Sequence, residues 1–210
     1  MASAPFKYVG GDPALDLVNT VDWADGGPLH ERLESYDALT RWAEGAGVVT
    51  PAVAGRLRRQ AVERPREAAA ALEAARRLRG VLQRAVASAA GRSGGRRLGD
   101  DLLRELNEAL APALARLRLT RPPADGGGAA AAWGWEGWGE ALDCPLWPVA
   151  RSAAALLASD EAASLRVCAG ADCGWVYVDR SRNGLRRWCE METCGAREKA
   201  RRHYARKRAG

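Results

Sequence analysis

Two copies of the motif Cys-x4-Cys-Gly, near the end of this 210-residue chain, constrain its fold more than any other feature. Each copy places two cysteines in one short turn, and fifteen residues separate the first pair from the second. Two such pairs supply the four soft ligands that tetrahedral Zn²⁺ prefers, and they leave no ligand position for a catalytic water. The sequence therefore predicts one structural zinc ion, held by Cys168, Cys173, Cys189 and Cys194.

The same four cysteines could instead form two disulfides or hold an iron–sulfur cluster. The repeated spacing favours a metal, and disulfides are rare in the cytosol. Residues 1–7 contain no apolar run long enough for a signal peptide, and no stretch approaches the roughly 20 apolar residues of a membrane span. We therefore expect a cytoplasmic protein with no membrane partner. The fifth cysteine, Cys144, has no near partner and is expected to be a small buried residue.

The residues between and after the cysteine pairs predict a treble-clef type of zinc finger. Residues 175–178 and 185–188 read as the two strands of a hairpin, and Asn183 and Gly184 mark the turn that joins them. After Cys194, residues 196–208 contain no Pro or Gly and read as a helix. Each cysteine pair with its turn forms a zinc knuckle, the first over residues 168–174 and the second over residues 189–195. The predicted order is therefore first knuckle, hairpin, second knuckle and helix.

The second cysteine pair and the helix after it, residues 187–203, resemble the CGNR zinc finger of bacterial transcription regulators. That family is named for the sequence Cys-Gly-Asn-Arg, and an alanine, Ala196, replaces the asparagine in this chain. The resemblance covers residues 167–207, and residues 14–20 are similar to the start of the ABATE-type α/β domain that precedes this finger. It implies a stress-induced transcription regulator. It also implies a small-molecule sensor in the N-terminal domain, for which Asn19 is the candidate ligand-binding residue.

The positive charge of the chain is concentrated in the cysteine-rich segment. Residues 165–210 contain twelve Lys or Arg and five Asp or Glu, whereas residues 1–164 contain twenty and twenty-one. Such segregation is typical of a nucleic-acid-binding surface, and most of the basic residues are expected to contact phosphates. We therefore expect residues 160–210 alone to bind double-stranded DNA. The candidate contacts are Arg180, Arg182, Arg186, Arg187, Arg197, Lys199, Arg201, Arg202 and Arg206, with Lys207 and Arg208 at the end of the helix.

The remainder of the sequence predicts an α+β fold, with a mostly helical N-terminal domain and a small antiparallel sheet. Residues 14–20 read as a strand entering a core, and residues 22–28 as a polar loop. Helical periodicity then dominates, apart from a hairpin over residues 115–120 and 130–135. We expect a sensing or assembly domain over residues 1–160 and the zinc finger, with its basic helix, over residues 161–210.

Two other functions remain open at this level. Basic zinc modules also serve RNA- or ribosome-associated proteins, and residues 1–160 could form an enzyme or ligand-binding domain that carries a structural zinc. Only two histidines, His30 and His203, are present, and neither lies in a recognisable catalytic constellation. We therefore expect a protein that is not an enzyme. The sequence leaves open whether it forms a homo-oligomer.

Overall fold

The computed structural model of the protein describes residues 6–24, 27–90, 97–122, 129–171 and 173–209. The helices are α1 (Pro13–Val18), α2 (Tyr36–Gly45), α3 (Pro51–Glu63), α4 (Pro65–Ala89), α5 (Asp100–Leu114), α6 (Leu146–Leu157) and α7 (Ala196–Ala209). Three antiparallel strand pairs join β1 (Val21–Ala24) to β2 (Gly27–Glu31), β3 (Leu117–Thr120) to β4 (Ala132–Trp135), and β5 (Leu165–Val167) to β6 (Val176–Val178). A 3₁₀ turn (Asp160–Ser164) precedes β5, and a π-helical turn (Met191–Gly195) precedes α7. The predicted α+β class, mostly helical with small antiparallel sheets, is confirmed.

The long helix α4 is the element against which the other helices of the N-terminal unit pack. Its buried side chains, among them Leu72, Ala75, Leu78 and Leu82, recur at every third or fourth position, which gives the helix one continuous apolar face. Helices α1, α2, α3, α5 and α6 all contact it, as do strands β5 and β6. Among the residues that the structure describes, no helix is long and apolar enough to cross a bilayer.

Residues 14–20, predicted as a strand, instead belong mainly to the short helix α1. The Asp12 carboxylate accepts a hydrogen bond from the Ala14 backbone N–H at 2.8 Å, and Pro13 begins the helix. An aspartate cap followed by proline is a strong helix start. Residues 14–18 are all buried, so this helix has no polar face that would separate its pattern from that of a buried strand.

The polar segment predicted as a loop over residues 22–28 lies largely within the β1–β2 hairpin. Trp23 pairs with Pro28, and Ala24 with Gly27, while residues 25 and 26 lie outside the described residues. The hairpin predicted over residues 115–120 and 130–135 is confirmed, because β3 and β4 pair in register from Leu117 with Trp135 onward.

The hairpin predicted between the cysteine pairs does not form, because β6 pairs with a strand that precedes the first cysteine. Val167 lies opposite Val176, and Leu165 opposite Val178, so the first knuckle is itself the turn of the hairpin. Residues 185–187 adopt no strand conformation. They are held by the Asp179 carboxylate, which accepts from the Arg186 backbone N–H at 3.0 Å, and by the Tyr177 hydroxyl, which donates to the Arg186 carbonyl at 2.7 Å.

The hydrophobic core continues from the N-terminal helices into the cysteine module. Leu165, Val176 and Val178 are at most 2% exposed and belong to the same buried cluster as the helices. Hydrogen bonds also cross between the two units: Val178 N–H donates to the Gly10 carbonyl at 3.0 Å, and Trp175 Nε1 donates to the Val21 carbonyl at 3.1 Å. The predicted boundary between residues 160 and 161 stays a prediction, and the packing is continuous across it.

This shared core alters what we expect of the isolated finger. A fragment of residues 160–210 exposes Leu165, Val176 and Val178, and each such side chain stabilises a fold by about 1.5–3 kcal/mol when buried. The sum is comparable to the whole stability of a small domain, so the zinc-loaded fragment should be only partly folded. Amide NMR spectra of the fragment and the full chain would test this. A well-dispersed fragment spectrum that overlays on that of the full chain would show the finger to be autonomous.

Candidate zinc centre and basic surface

The four predicted zinc ligands converge at one buried point, where the two knuckles meet. Their Sγ atoms all lie within 4.8 Å of one another. The Sγ atom of Cys189 lies 3.7 Å from that of Cys173 and 3.6 Å from that of Cys194. A tetrahedron with Zn–S bonds of about 2.3 Å has edges of about 3.8 Å, so these sulfurs already have nearly the spacing that zinc requires. A disulfide would require an S–S distance of about 2.05 Å, and all five cysteines are free thiols.

Hydrogen bonds within the cluster favour the thiolate form of Cys168. The backbone N–H groups of Gly170 and Cys189 donate to Cys168 Sγ at 3.4 and 3.3 Å. Hydrogen bonds from the thiols of Cys173 and Cys189, together with these backbone donors, lower the pKa of Cys168. Backbone N–H···S contacts of this kind orient and stabilise metal-bound thiolates. The four cysteines are therefore positioned to bind one structural Zn²⁺ ion.

The glycine after each cysteine pair has a specific steric role. Gly174 has φ +60°, a left-handed conformation that residues with a side chain rarely adopt. Gly195 lies in the π-helical turn, where an added Cβ would come within 2.5 Å of the Met191 Sδ atom. Glycine at 174 is therefore favoured by the backbone conformation, whereas a larger residue at 195 would displace the Met191 side chain.

Cys144 lies outside the cluster, as predicted from its isolation in sequence. Its side chain is completely buried in the core of the N-terminal unit, and burial raises the pKa of its thiol to about 11. It is an apolar packing residue in that core.

Two of the predicted nucleic-acid contacts, Arg180 and Arg186, also contact the N-terminal segment from the cysteine module. Arg180 pairs through Nε with the Glu161 carboxylate at 2.5 Å, and its Nη1 donates to the Gly11 carbonyl at 2.8 Å. Arg186 Nη2 donates to the Val9 carbonyl at 3.2 Å and also to the Cys189 carbonyl. Both guanidinium groups therefore have structural partners within the protein.

Three further candidates on α7 also have partners within the finger. Arg197 Nη2 donates to Cys194 Sγ at 3.2 Å, so that its charge offsets that of the metal-binding sulfurs. Arg201 and Arg202 both pair with Glu198, a carboxylate that the sequence analysis did not single out. The spacing of three and four residues on a helix was the signal that could have identified these pairs.

The remaining candidates are exposed and available to a partner. Arg182, Lys199 and Arg206 make no hydrogen bond or ion pair with any residue in the described ranges, and the same holds for Lys207 and Arg208. Arg187 is also exposed, and its guanidinium lies 5.3 Å from the centre of the Trp188 ring.

Helix α7 extends from the zinc centre without an apolar face. Every residue from 199 to 208 is exposed, and the helix contains seven Lys or Arg and one Glu. A helix of 14 residues that is polar on all sides gains little from its own packing, and isolated helices of this length are marginal in water. The sequence of α7 is therefore better suited to a polyanionic partner than to the protein interior.

Asn19, the predicted ligand-binding residue, lies between the two units of the protein. Its side chain is 2% exposed, and both ends of its amide contact the backbone of β6. Asn19 Nδ2 donates to the Val176 carbonyl at 2.9 Å, and the Val176 N–H donates to Asn19 Oδ1 at 2.9 Å. A small molecule would have to compete with this strand for the amide, so ligand binding by Asn19 stays a prediction without a free polar group to support it.

Asn19→Ala should substantially destabilise the full chain. The change leaves the buried N–H and carbonyl of Val176 without partners, and each unsatisfied group costs about 1–3 kcal/mol. We expect the free energy of unfolding to fall by about 2–5 kcal/mol in urea titrations. Asn107→Ala, on the exposed side of α5, is the control and should change it by less than about 0.5 kcal/mol. Equal effects of the two substitutions would mean that the Asn19 side chain does not stabilise the contact between the two units.

Comparison with known families gives two matches along the chain. Residues 11–160 match the ABATE family, described as a putative stress-induced transcription regulator. Residues 164–207 match the CGNR zinc finger. A search of curated proteins finds no match. The family resemblance predicted from the sequence is thereby confirmed, with a zinc finger at the segment that contains the four cysteines.

Proposed function

The chain belongs to the ABATE family, and we propose that it is a transcription regulator that binds double-stranded DNA through its zinc module and helix α7. In this proposal the zinc ion fixes the start of the helix, and the exposed basic side chains approach the phosphate backbone. The N-terminal unit senses a signal or assembles the protein, and the regulator acts in the cytoplasm.

The observation that carries the proposal is the set of exposed cations without partners on α7. Lys199, Arg206, Lys207 and Arg208 have no competing carboxylate among the described residues, so each can approach a phosphate without breaking an ion pair. Contacts of this kind release counterions from DNA and supply affinity that does not depend on sequence. Arg182 and Arg187, near the turn before the second knuckle, are exposed as well and are candidates for further phosphate contacts.

The structurally engaged arginines take a different role in this proposal. Arg180 and Arg186 hold the module against the N-terminal segment, so their loss would change its position and fold as well as its charge. Arg201 and Arg202 are exposed but already paired with Glu198, which reduces the net charge that they offer to a phosphate. We therefore assign the main phosphate contacts to the unpaired group.

Nucleic-acid class is tested with the zinc-loaded full chain and three labelled oligonucleotides of equal length. These are duplex DNA, duplex RNA and single-stranded RNA, measured at one fixed salt concentration. The proposal predicts the tightest binding to duplex DNA, because a basic helix fits the wide major groove of B-form DNA but not the deep, narrow major groove of A-form RNA. Preferential binding to either RNA would favour the RNA-associated alternative and overturn the DNA assignment.

The other expectations belong to the same proposal. The matched families are of regulator and zinc-finger type, which agrees with a function other than catalysis. A small-molecule effector and self-association of the N-terminal unit would each give a regulator a means of control. Both stay predictions that rest on the family resemblance.

A further inference from the structure

The loop of residues 181–187, which connects β6 to the second knuckle, exposes an apolar side chain among arginines. Leu185 is 71% exposed, and the loop contains three arginines and no acidic residue. A single exposed leucine is common on protein surfaces, so its exposure alone does not indicate a function. Leu185 differs from such a residue in the rigidity of its loop and in the side chains beside it.

Hydrogen bonds hold the backbone of the loop on both sides of Leu185. Before it, the Ser181 N–H donates to Asp179 Oδ1 at 3.0 Å. After it, the Arg186 N–H donates to Asp179 Oδ2 at 3.0 Å, and the Arg186 carbonyl accepts from the Tyr177 hydroxyl at 2.7 Å. Asp179 and Tyr177 are both buried, so these anchors are part of the folded module. The loop therefore presents Leu185 in a fixed conformation, which reduces the entropy that binding would cost.

The polar side chains beside Leu185 are free to contact the same partner. Arg182 and Asn183 are exposed and make no hydrogen bond or ion pair within the part of the chain that the structure describes. Arg187 is exposed as well, and its guanidinium lies beside the Trp188 ring rather than a carboxylate. Arginine, asparagine and leucine are residue types that minor-groove-binding proteins use, the polar ones to contact the groove and the apolar one as a wedge between bases.

We propose that this loop enters the minor groove of duplex DNA and inserts Leu185 between two base pairs, with Arg182 and Arg187 at the flanking phosphates. The inference rests on the proposed function, and it adds a second contact to that of α7. Insertion of an apolar side chain partly unstacks one base step and bends the duplex by about 20–90°. TA steps are among the easiest to unstack, so DNA that is rich in them should bend most readily.

DNA bending by the zinc-loaded full chain tests the insertion. The probe is a duplex of alternating TA steps with a donor and an acceptor dye at its two ends, and energy transfer is measured at saturating protein. The wild type should shorten the end-to-end distance of the duplex, and Leu185→Ala should lose most of this shortening. The same variant should keep the salt slope of binding, because it removes no charge. Leu185→Met, which keeps an apolar wedge, should bend the duplex as the wild type does.

Leu119→Ala on β3 is the matched control, because Leu119 is a leucine of nearly the same exposure, 67%, in the N-terminal unit. It should leave the bend unchanged. Arg182→Ala should show the converse pattern, in which the salt slope becomes shallower by about one and the bend persists. Equal bending by the wild type and Leu185→Ala, or tight binding to a duplex that stays straight, would overturn the insertion alone. A wild type that binds no DNA would refute the proposed function and the insertion with it.

Discussion

Cys189→Ala should abolish tight zinc binding and unfold the cysteine module. Cys189 Sγ is the sulfur that lies 3.7 Å from Cys173 and 3.6 Å from Cys194, so its loss opens the centre of the cluster. The free energy of zinc binding to such modules is about 10–16 kcal/mol and is largely free energy of folding. Metal analysis after gel filtration should find no retained zinc, and amide NMR should show lost dispersion for the residues of the finger.

The N-terminal helices should survive this change in weakened form. Leu165, Val176 and Val178 pack in the core of these helices. Unfolding of the finger therefore removes part of that core. We expect helical circular dichroism to persist and Tm to fall. Cys144→Ala is the matched control, because it removes another fully buried thiol, and it should retain one zinc per chain. Full zinc occupancy in Cys189→Ala, or zinc loss in Cys144→Ala, would contradict the proposed ligand set.

Replacing Lys199, Arg206, Lys207 and Arg208 with alanine should cause the largest loss of DNA affinity. None of these side chains has an ion-pair partner in the described part of the chain, so their removal leaves no carboxylate unpaired. Alanine also favours the helix, so α7 itself should remain helical when bound to the zinc module. We expect affinity at low salt to fall by about a hundredfold or more, and zinc content to stay unchanged.

The matched control removes the same amount of positive charge from the N-terminal unit. Arg56, Arg59, Arg66 and Arg121 are exposed there, and their fourfold replacement by alanine lowers the net charge equally. DNA affinity should change much less, because these residues lie outside the proposed surface. Equal losses in the two variants would mean that net charge, rather than α7, determines binding. Arg201 and Arg202 are less suitable for this test, because their removal leaves Glu198 largely buried and unpaired.

The zinc cluster could be predicted from the sequence because its determinants are local. Each knuckle is a single short turn, and the position of its two sulfurs depends on six or seven consecutive residues. The position of helix α7 followed from the absence of Pro and Gly in residues 196–208. The same reasoning failed for α1, although its start signal, Asp12 followed by Pro13, was present in the sequence. The largely apolar run in residues 14–18, with Asp16 at its centre, was too short to separate a buried helix from a buried strand.

The choice of strand partner could not be predicted, because it depends on tertiary packing. Asn183 and Gly184 do form a turn, in which Gly184 has φ +60°, but a turn signal does not determine which strands pair beside it. Strands β5 and β6 have three residues each, and both are fixed by contact with α4. Strands this short have little pairing preference of their own.

The charge of the sequence located the basic segment, but it did not distinguish arginines without partners from those that bind other groups of the protein. The pairs of Arg201 and Arg202 with Glu198 lie within one helix and could be derived from spacing. The contacts of Arg180 with Gly11 and of Arg186 with Val9 join residues 169 and 177 positions apart. Such contacts depend on how the finger docks against the N-terminal segment, which no local pattern encodes.

The most direct test of DNA binding by the zinc module is a salt titration of the zinc-loaded full chain on a random-sequence DNA duplex. Four to six phosphate contacts from the unpaired basic residues predict that log affinity falls with log salt at a slope of about −4 to −5. The fourfold variant of α7 should reduce that slope to about −1, with zinc retained. Binding weaker than about millimolar at low salt, or a wild-type slope near zero, would contradict the account and leave the finger as a structural module.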